Sequence, residues 1–382
     1  MAEGALSLEQ VRRIAIAAQG YAPGGRGTQA DVEATIRRLS AVQLDSIATV
    51  DRSHRLALAA RIGTHPADAV SKLLRAGRVV EYWAHEASLL PVEAWPLLRH
   101  RMRDRRVHHW WGDVLGREPA LARSVLRAIE KNGPMSSREF EGKAPGKGMW
   151  VLKPEKRMLD ALWTAGRLAV CGRESGFQRV YDLPERVIPA KRLAERVTRP
   201  QAIRALALQA IRARGALTEA GVAEHWRFAG RTATVRPALA RLVREGEVAR
   251  VPVAEGGPDV FVAAGTDLDP PAPRAAALLS PFDNLLWDRA FARRALGFDH
   301  LIEVYKKEHQ RRFGYYVMPL VVGDRIVARA DVKSDREAGA LRIKAVHREP
   351  GVRWTSAQED GLATAAARLA KALALREVAW PQ

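Results

Sequence analysis

Apolar residues recur at helical spacing through much of the chain, in segments that polar residues open. Residues 7–19 and 31–39 follow this pattern, and the side chain at the start of each, a serine and an aspartate, is expected to cap the first turn. The next run, LSAVQLDSIATV, loses the helical spacing, so we expect a short strand that carries Gln43 and Asp45. The first part of the chain is therefore predicted to be two helices that lead into a polar strand.

Two central segments repeat one order of elements. They begin near Pro119 and Arg199, and each contains a helix, a short second helix, a third helix and two strands. Glycine stands where the first and third helices end, and Ser or Thr stands where the second begins. Three helices followed by a two-stranded wing are the plan of the winged helix-turn-helix. The marker residues are Gly133, Ser136 and Gly166 in the first segment, and Gly215, Thr218 and Gly246 in the second.

The sequence changes character after a proline-rich stretch at 267–277. Apolar and polar residues alternate on both sides of Gly323-Asp324, which predicts a β-hairpin, and 356–377 has the spacing of a closing helix. We therefore predict an α+β protein with tandem winged helix-turn-helix domains and a small C-terminal antiparallel β-barrel-like domain. The N-terminal segment resembles a distorted copy of the repeated unit. The predicted domains are 1–116, which carries the Gln-Leu-Asp motif, 117–190, 196–266 and 274–382.

The charge balance narrows the choice of partners. The 382 residues include 62 Lys and Arg against 43 Asp and Glu, a net charge of +19 that is spread along the folded segments. Such a basic protein is expected to bind a polyanion, and nucleic acid is favoured over a membrane surface. The single cysteine, Cys171, excludes an internal disulfide framework and a multi-cysteine zinc site. Since no apolar run of about 18 residues and no secretory signal is evident, we expect a cytoplasmic protein.

The tripeptide Gln43-Leu44-Asp45 is the candidate for chemistry. Side chains two residues apart on a strand share a face, so Gln43 and Asp45 would point one way and Leu44 the other. An amide and a carboxylate aimed at one spot can hold and polarise a water molecule. The alternative, favoured when the tripeptide is taken alone, is a helix-to-strand junction whose polar side chains cap backbone groups or contact solvent.

Longer motifs indicate a family. VQLDSI with DRSHRLALAARIG, then VVEYWAHEASLLP, SPFDNLLWDR and FGYYVMPLVVGDRIVARADVK, follow one another over nearly the whole chain. In this order they resemble the YcaQ-like (AlkX) DNA glycosylases, relatives of AlkZ. The resemblance implies tandem winged-helix domains with a C-terminal β-barrel. It also implies excision of N7-alkylated guanines, interstrand crosslinks included, without metal or cofactor. The Gln-apolar-Asp form of the tripeptide is that of the YcaQ branch.

This resemblance implies a role for each polar residue of the tripeptide. An N7-alkylguanine is positively charged and leaves as a neutral base, so the demand on the enzyme falls on the sugar, which becomes oxocarbenium-like at C1′. We expect Asp45 to stabilise that charge and to accept a proton from the attacking water, and Gln43 to orient the water and the sugar. Because no amine nucleophile is needed, we expect a monofunctional glycosylase that leaves an abasic site.

Further residues are candidates for contact with DNA, each with a structural alternative. The basic turn after the tripeptide could be solvated, with Asp51 and Arg52 paired, and a lone strand histidine is more often structural. The cluster after Pro281 could be a capped turn with Trp287 buried, and the hairpin arginines could form a solvated face rather than contact phosphates. The candidates are Arg52, Ser53, His54 and Arg55; Trp83 and His85; Asp283 and Asn284; and Arg311, Arg312, Arg325 and Arg329.

Two other classes of protein remain to be weighed. A non-enzymatic winged-helix transcription regulator explains the charge and the repeated helices but gives no role to the tripeptide or the β domain. A nuclease would need clustered acidic metal ligands, and none is convincing; the adjacent His108 and His109 cannot both bind a metal from one helix face. We therefore expect a monomeric enzyme without metal or cofactor, whose partner is double-stranded DNA with alkylated or crosslinked guanine, and not a membrane.

Overall fold

The chain divides into two units, and the candidate tripeptide lies in the first. The computed structural model describes residues 4–21, 25–104, 112–141, 152–274 and 276–381. The first unit comprises Met1–Pro66, Ala84–Ser88 and Ala207–Gln382, and the second comprises Ala67–Trp83 and Leu89–Leu206.

Both predicted N-terminal helices are present, and a capping box fixes the start of each. Helix α1 spans Leu8–Gln19 and begins after Ser7, as predicted. Helix α2 spans Gln29–Leu39 and begins about one turn earlier than predicted, because Thr28 is its N-cap. Asp31 occupies the third helical position instead, where its carboxylate accepts from the Thr28 backbone N–H at 2.8 Å.

The strand that follows is shorter than predicted. Strand β1 contains only Val42–Gln43, and Asp45 lies beyond its end, before helix α3 (Ser53–Ile62) begins. The expectation that one strand carries both Gln43 and Asp45 is therefore wrong for Asp45. Since the chain leaves the strand at Leu44, strand alternation does not determine where the two polar side chains point.

The second unit is built around a buried carboxylate. Glu81 is only 1% exposed, and the guanidinium groups of Arg173 and Arg179 both donate to it, Arg173 at 2.7 Å. Burial acts to raise the pKa of Glu81, but the two arginines outweigh burial and the pKa is lowered. The Arg179 guanidinium also lies 4.0 Å from the centre of the Trp163 ring.

The elements between residues 67 and 198 are α4 (Ala69–Arg75), β2 (Val79–Trp83), β3 (Ala87–Pro91), α5 (Ala94–Arg103), α6 (Val114–Arg117), α7 (Pro119–Asn132), β4 (Met135–Ser136), α8 (Pro154–Thr164), β5 (Ala169–Glu174), β6 (Gln178–Asp182), α9 (Pro184–Val187) and α10 (Ala190–Ala194).

The predicted repeat is present in part: each segment has the first helix, the third helix and the two closing strands, but a short strand that was not predicted follows the first helix, and a 3-10 turn stands for the second helix in the described part of the first segment. In the first segment α7 is followed by β4, a single 3-10 turn at Ser137–Glu139, α8 and the pair β5 and β6. The three strands of each segment form a sheet with the last strand in the middle, in the orders β4-β6-β5 and β7-β9-β8. The second segment contains α11 (Arg199–Arg214), β7 (Ala216–Leu217), α12 (Glu219–His225), α13 (Thr232–Arg244), β8 (Val248–Val251) and β9 (Val260–Ala263).

Glycine ends the helices of both segments, as predicted. Gly133, Gly166, Gly215 and Gly246 all have left-handed backbones, with φ of 85°, 67°, 77° and 70°. A side chain at Gly215 would also be excluded, because a Cβ there would lie 2.6 Å from the carbonyl oxygen of Ile14 in α1. The turn after α11 therefore requires glycine both for its backbone conformation and for the close approach of α1.

The C-terminal part of the first unit is an open, bent sheet covered by a helix. The predicted hairpin is confirmed: β11 and β12 pair antiparallel, with Val322 opposite Arg325 across Gly323-Asp324. Register shifts at Leu320/Val321 and Asp331/Val332 bend the sheet. The elements are β10 (Ala276–Leu278), α14 (Arg289–Ala295), β11 (Val317–Val322), β12 (Arg325–Asp335), β13 (Ala340–Arg348), α15 (Ser356–Ala372) and β14 (Glu377–Ala379), with the strands in the order β10-β11-β12-β13-β14.

Two details of this sheet differ from the prediction. The closing helix α15 ends at Ala372 rather than near Glu377, and the residues after it form β14, which pairs parallel to β13. The sheet ends at β10 and β14, so it is a curled half-barrel rather than a closed barrel. The α+β class is confirmed, whereas the division into four domains stays a prediction. In the described part of the chain, no helix is long and apolar enough to span a bilayer.

Candidate active site

The hydroxyl group of one serine holds the tripeptide. Ser53, the first residue of α3, donates through Oγ to the carbonyl oxygen of Gln43 at 2.7 Å and accepts from the backbone N–H of Asp45 at 2.8 Å. Between them, the backbone N–H of Leu44 donates to the carbonyl oxygen of Ala87 at 2.7 Å. The backbone of all three residues is therefore fixed, although only Gln43 belongs to a strand.

Asp45 is a half-buried carboxylate whose direction is fixed locally. Its Oδ1 accepts from the backbone N–H of Ile47 at 2.8 Å. Burial raises the pKa of Asp45, and the Ile47 N–H, the Arg52 guanidinium and the Tyr305 hydroxyl partly offset that rise. A carboxylate with a raised pKa is a stronger base than one in water, which suits proton abstraction from a water molecule.

Tyr305 is a neighbour of Asp45 that sequence reasoning missed. The residue is 72% exposed, and its hydroxyl is near enough to the Asp45 carboxylate for each group to shift the pKa of the other. Partial burial, together with the negative charge of Asp45, raises the pKa of Tyr305 to about 12, so the hydroxyl keeps its proton as a donor. The residue lies in the irregular segment after α14, where no periodic pattern assigns a side chain to a face. Nothing in the sequence alone would have linked it to Asp45.

Gln43 offers an uncommitted amide. Only 8% of the residue is exposed, and within the described ranges its side-chain amide has no hydrogen-bond partner. An amide carries both donors and an acceptor, so it can bind a water molecule or a sugar oxygen without titrating. The Gln43 amide is therefore able to bind a polar reactant.

The backbone that enters the tripeptide is held by two buried side chains. Ser40 has a left-handed backbone, with φ of 57°, and its Oγ lies 2.9 Å from Nε2 of His225. The Nδ2 of Asn284 donates to the carbonyl oxygen of Ala41 at 2.7 Å. His225 and Asn284 are 0% and 1% exposed. Groups far away in the sequence thus fix the chain just before Gln43.

An aromatic stack lies next to these groups in the first unit. The His85 ring is parallel to the Trp287 ring at 4.7 Å, and the His225 ring meets the same indole edge-on at 5.2 Å. Burial, together with the positive charge of Arg227, lowers the pKa of His85 to about 3. His85 is therefore neutral at physiological pH, so it is neither a cation for phosphate nor a general acid.

The family described as DNA glycosylase AlkZ-like matches residues 36–372, which include the tripeptide, Asn284 and Tyr305. The chain belongs to the AlkZ-like DNA glycosylases. A solved structure with a similar fold is the Streptomyces sahachiroi DNA glycosylase AlkZ, with a TM-score of 0.64 and 17% identity over 98% of this chain and 99% of that chain. The expectation of a DNA glycosylase is confirmed. The alternative, a non-enzymatic winged-helix transcription regulator, is wrong.

The basic residues that follow the tripeptide differ from the prediction in their burial and in their ion pairs. Ser53 and His54 are 1% and 7% exposed, so the expectation that they touch DNA is corrected for both. Arg55 forms an ion pair with Asp51 at 3.0 Å, and the backbone N–H of Arg52 donates to the same carboxylate at 2.7 Å. Arg52 is half-exposed and lies close enough to Asp45 to lower its pKa.

Three more predicted contacts are buried in the glycosylase and are corrected in the same way. Asp283 is fully buried and forms a double hydrogen bond with Arg61, at 2.8 and 3.0 Å. Asn284 holds the backbone before the tripeptide, as described above. Arg329 is 4% exposed, forms an ion pair with Glu349, and lies over the Phe298 and Phe313 rings. These side chains hold the fold together and present no surface to DNA.

The remaining candidates divide between structural and accessible positions. Trp83 belongs to the second unit, where its Nε1 donates to Oγ1 of Thr164 at 3.0 Å, and the expected burial of Trp287 is confirmed. Arg312 and Arg325 are exposed, and Arg311 is half-exposed with its guanidinium 4.7 Å from the centre of the Tyr315 ring.

The tip of the hairpin is attached to the body of the first unit. The Asp324 carboxylate accepts from Arg12 and Arg13 of α1, each at 3.3 Å. A ribbon whose turn is held in this way does not project freely into a groove. Arg325, next to the turn, nevertheless keeps an exposed side chain.

Among residues 4–21, 25–104, 112–141, 152–274 and 276–381, no group of three His, Cys, Asp or Glu side chains is placed to hold a metal ion. The pair His108 and His109 lies outside the described residues.

Proposed function

We propose that this glycosylase hydrolyses the N-glycosidic bond of N7-alkylated guanine in double-stranded DNA, crosslinked guanines included. Asp45 is the general base and Gln43 orients the water. The observation that carries the proposal is the state of Asp45: a half-buried carboxylate with a raised pKa, oriented by the Ile47 N–H and anchored through Ser53.

The reaction follows from the charge of the lesion. The bond between C1′ and N9 breaks, and its electron pair moves to the base, where it neutralises the positive charge that N7-alkylation created. The sugar becomes oxocarbenium-like, and the Asp45 carboxylate stabilises that positive charge. The same carboxylate accepts a proton as a water held by Gln43 adds to C1′. The products are a free alkylated guanine and an abasic site.

Crosslinked guanines fit the same chemistry. Each tethered base is an N7-alkylguanine, so hydrolysis at one sugar separates the strands. The exposed or half-exposed Arg52, Arg311, Arg312 and Arg325 are the proposed contacts to phosphates. The repeated order of helices and strands in α7–β6 and α11–β9 favours tandem winged-helix domains as the DNA-binding framework.

The test is excision by Asp45→Asn under single-turnover conditions. The substrate is methylated duplex DNA, and the readout is free 7-methylguanine. The variant keeps an oxygen that can accept from the Ile47 N–H, so its fold is retained while the base is lost. We expect the rate constant to fall by about 10²–10⁴ with DNA affinity nearly unchanged.

The matched control is Asp360→Asn, the same chemical change at an exposed position on α15. It should excise at the wild-type rate. Because burial raises the pKa of Asp45, its ionised form is unfavourable to folding, and Asp45→Asn should unfold at a temperature no lower than the wild type. A folded Asp45→Asn variant with full excision removes Asp45 from the mechanism.

A further inference from the structure

The hydroxyl of Ser53 serves the tripeptide rather than its own helix. Ser53 is the first residue of α3, whose N-cap residue, Arg52, makes no side-chain capping hydrogen bond. The Ser53 hydroxyl instead spans Leu44, donating to the carbonyl oxygen of Gln43 and accepting from the N–H of Asp45. The buried hydroxyl thus makes one hydrogen bond as a donor and one as an acceptor, both with the tripeptide.

The Ser53 hydroxyl holds the chain just beyond the end of strand β1. Strand β1 ends at Gln43, and one further backbone hydrogen bond, from the Leu44 N–H to Ala87 of β3, precedes Asp45. The Ser53 hydroxyl joins the residue before Leu44 to the residue after it, at 2.7 and 2.8 Å. The hydroxyl therefore adds a side-chain constraint on the relative placement of the Gln43 and Asp45 backbones.

We propose that Ser53 is a positioning residue for catalysis, which acts through Asp45 and Gln43 without touching the substrate. Asn284 has the same role one step earlier, since its Nδ2 fixes Ala41 from the opposite end of the sequence. The proposal rests on the proposed function of the tripeptide. From the sequence, Ser53 and Asn284 were candidates for contact with DNA. The proposal instead gives them the role of holding the Asp45 carboxylate and the Gln43 amide at the separation that catalysis needs.

The primary test compares Ser53→Ala with Ser53→Thr. Alanine removes the bridge, and threonine keeps a hydroxyl at the same carbon. At saturating enzyme, we expect Ser53→Ala to lower the single-turnover rate constant for 7-methylguanine release about 10–100-fold, because small misplacements of catalytic groups have effects of this size. The Kd for the same duplex should stay within about twofold, and Ser53→Thr should recover most of the rate.

The matched control is Ser46→Ala, which removes the hydroxyl of an exposed serine in the same segment. It should leave the rate unchanged. A merely structural role of Ser53 would lower the fraction of folded enzyme, counted by the burst amplitude in a separate experiment with DNA in excess, and would leave the single-turnover rate constant at saturating enzyme unaltered. That result, or a wild-type rate in folded Ser53→Ala, overturns the proposal.

A double-mutant comparison tests whether Ser53 acts through Asp45. Adding Ser53→Ala to Asp45→Asn should lower the residual rate by much less than it lowers the wild-type rate, since the base it positions is already absent. Equal factors in both backgrounds overturn the inference. If Asp45→Asn alone retains full activity, the proposed function fails instead, and the two failures are distinguishable. Should Ser53→Ala fold poorly, Ser53→Cys, a weak donor, must give an intermediate rate constant, and a wild-type rate there overturns the proposal.

Discussion

At the scale of single residues, the pair Asp45 and Tyr305 sets the pH range of the proposed reaction. Burial raises the pKa of Asp45, while the Tyr305 hydroxyl opposes that rise by donating toward the carboxylate. The general base must be ionised, so activity is lost as the pH falls through its pKa. Any change that raises this pKa shifts the acid limb of the rate profile to higher pH.

Tyr305→Phe removes this donor and keeps the ring. We expect the pKa of Asp45 to rise, and the acid limb of single-turnover excision to move to higher pH, with the rate at the plateau changed less than the rate on the limb. The measurement is the rate constant for 7-methylguanine release against pH. Tyr315→Phe, on a half-buried tyrosine in the same part of the chain, serves as the comparison. A limb that moves to lower pH, or stays in place, contradicts the placement of Tyr305.

The residues of the site differ in how visible they are in the sequence. Gln43 and Asp45 could be singled out because the longer motifs resemble a family with a Gln-apolar-Asp tripeptide, whereas the tripeptide alone favoured a structural junction. The proposed roles of Ser53 and Asn284 could not be predicted. In a basic or polar run, the sequence pattern does not distinguish a polar side chain that faces DNA from one that bonds to a backbone carbonyl. Tyr305 needed the tertiary contact with a carboxylate that lies far away in the sequence.

At the scale of elements, a buried ion pair fixes α3 and hence Ser53. Arg61, near the end of α3, is 2% exposed, and its guanidinium donates to both oxygens of Asp283, to Gln19 at the end of α1 and to Ala57. Burial alone would raise the pKa of Asp283, but Arg61 outweighs burial and the pKa is lowered. The stability from this pair is present at neutral pH and is lost as the pH falls through that lowered value.

Arg61→Met should therefore destabilise the protein strongly. It leaves the Asp283 carboxylate buried without its cation, and breaking such a pair typically costs about 3–5 kcal/mol in the free energy of unfolding. Urea unfolding at neutral pH measures the loss. Adding Asp283→Leu to Arg61→Met should restore a large part of it, because no unpaired charge is left. A double variant as unstable as the single one, or a single variant within about 1 kcal/mol of wild type, contradicts this account.

Local signals predicted the elements well where they determine the backbone by themselves. The capping serine of α1, the four glycines and the Gly323-Asp324 hairpin are of this kind, since each acts through the nearest few residues. The start of α2, the short β1 and the end of α15 were missed. Asp31 is as good an N-cap as Thr28 in isolation, and β14 forms only because β13 is available beside it.

At the scale of the whole molecule, the net charge of +19 predicts binding that is driven by phosphates. Much of the arginine in the described residues is already paired with carboxylates or packed on rings, as Arg61 and Arg329 are. The charge therefore indicates the class of partner, but the structure is needed to tell which arginines remain accessible. Arg312 and Arg325 are two of these.

We expect the affinity for duplex DNA to fall steeply with salt. If about five phosphates are contacted, the slope of log K against log salt concentration is about −4.5. Arg312→Gln should weaken binding to methylated and unmodified duplexes alike and should make the slope shallower by about one. Fluorescence anisotropy across a salt series measures both. A flat profile for the wild type would argue against docking through phosphates.

The hydrogen bond between Asn284 and Ala41 joins residues 243 positions apart in the sequence. During synthesis the chain emerges at about 5–20 residues per second, so the segment before Gln43 waits roughly 12–50 s for its anchor. The Arg61 guanidinium waits as long for Asp283. A nascent chain stalled before this point has made the tripeptide and Ser53 and yet lacks Asn284, which holds Ala41, and Asp283, which pairs with Arg61. The ribosome thus delivers the proposed catalytic residues first, and these two anchors only after almost three quarters of the 382 residues have been translated.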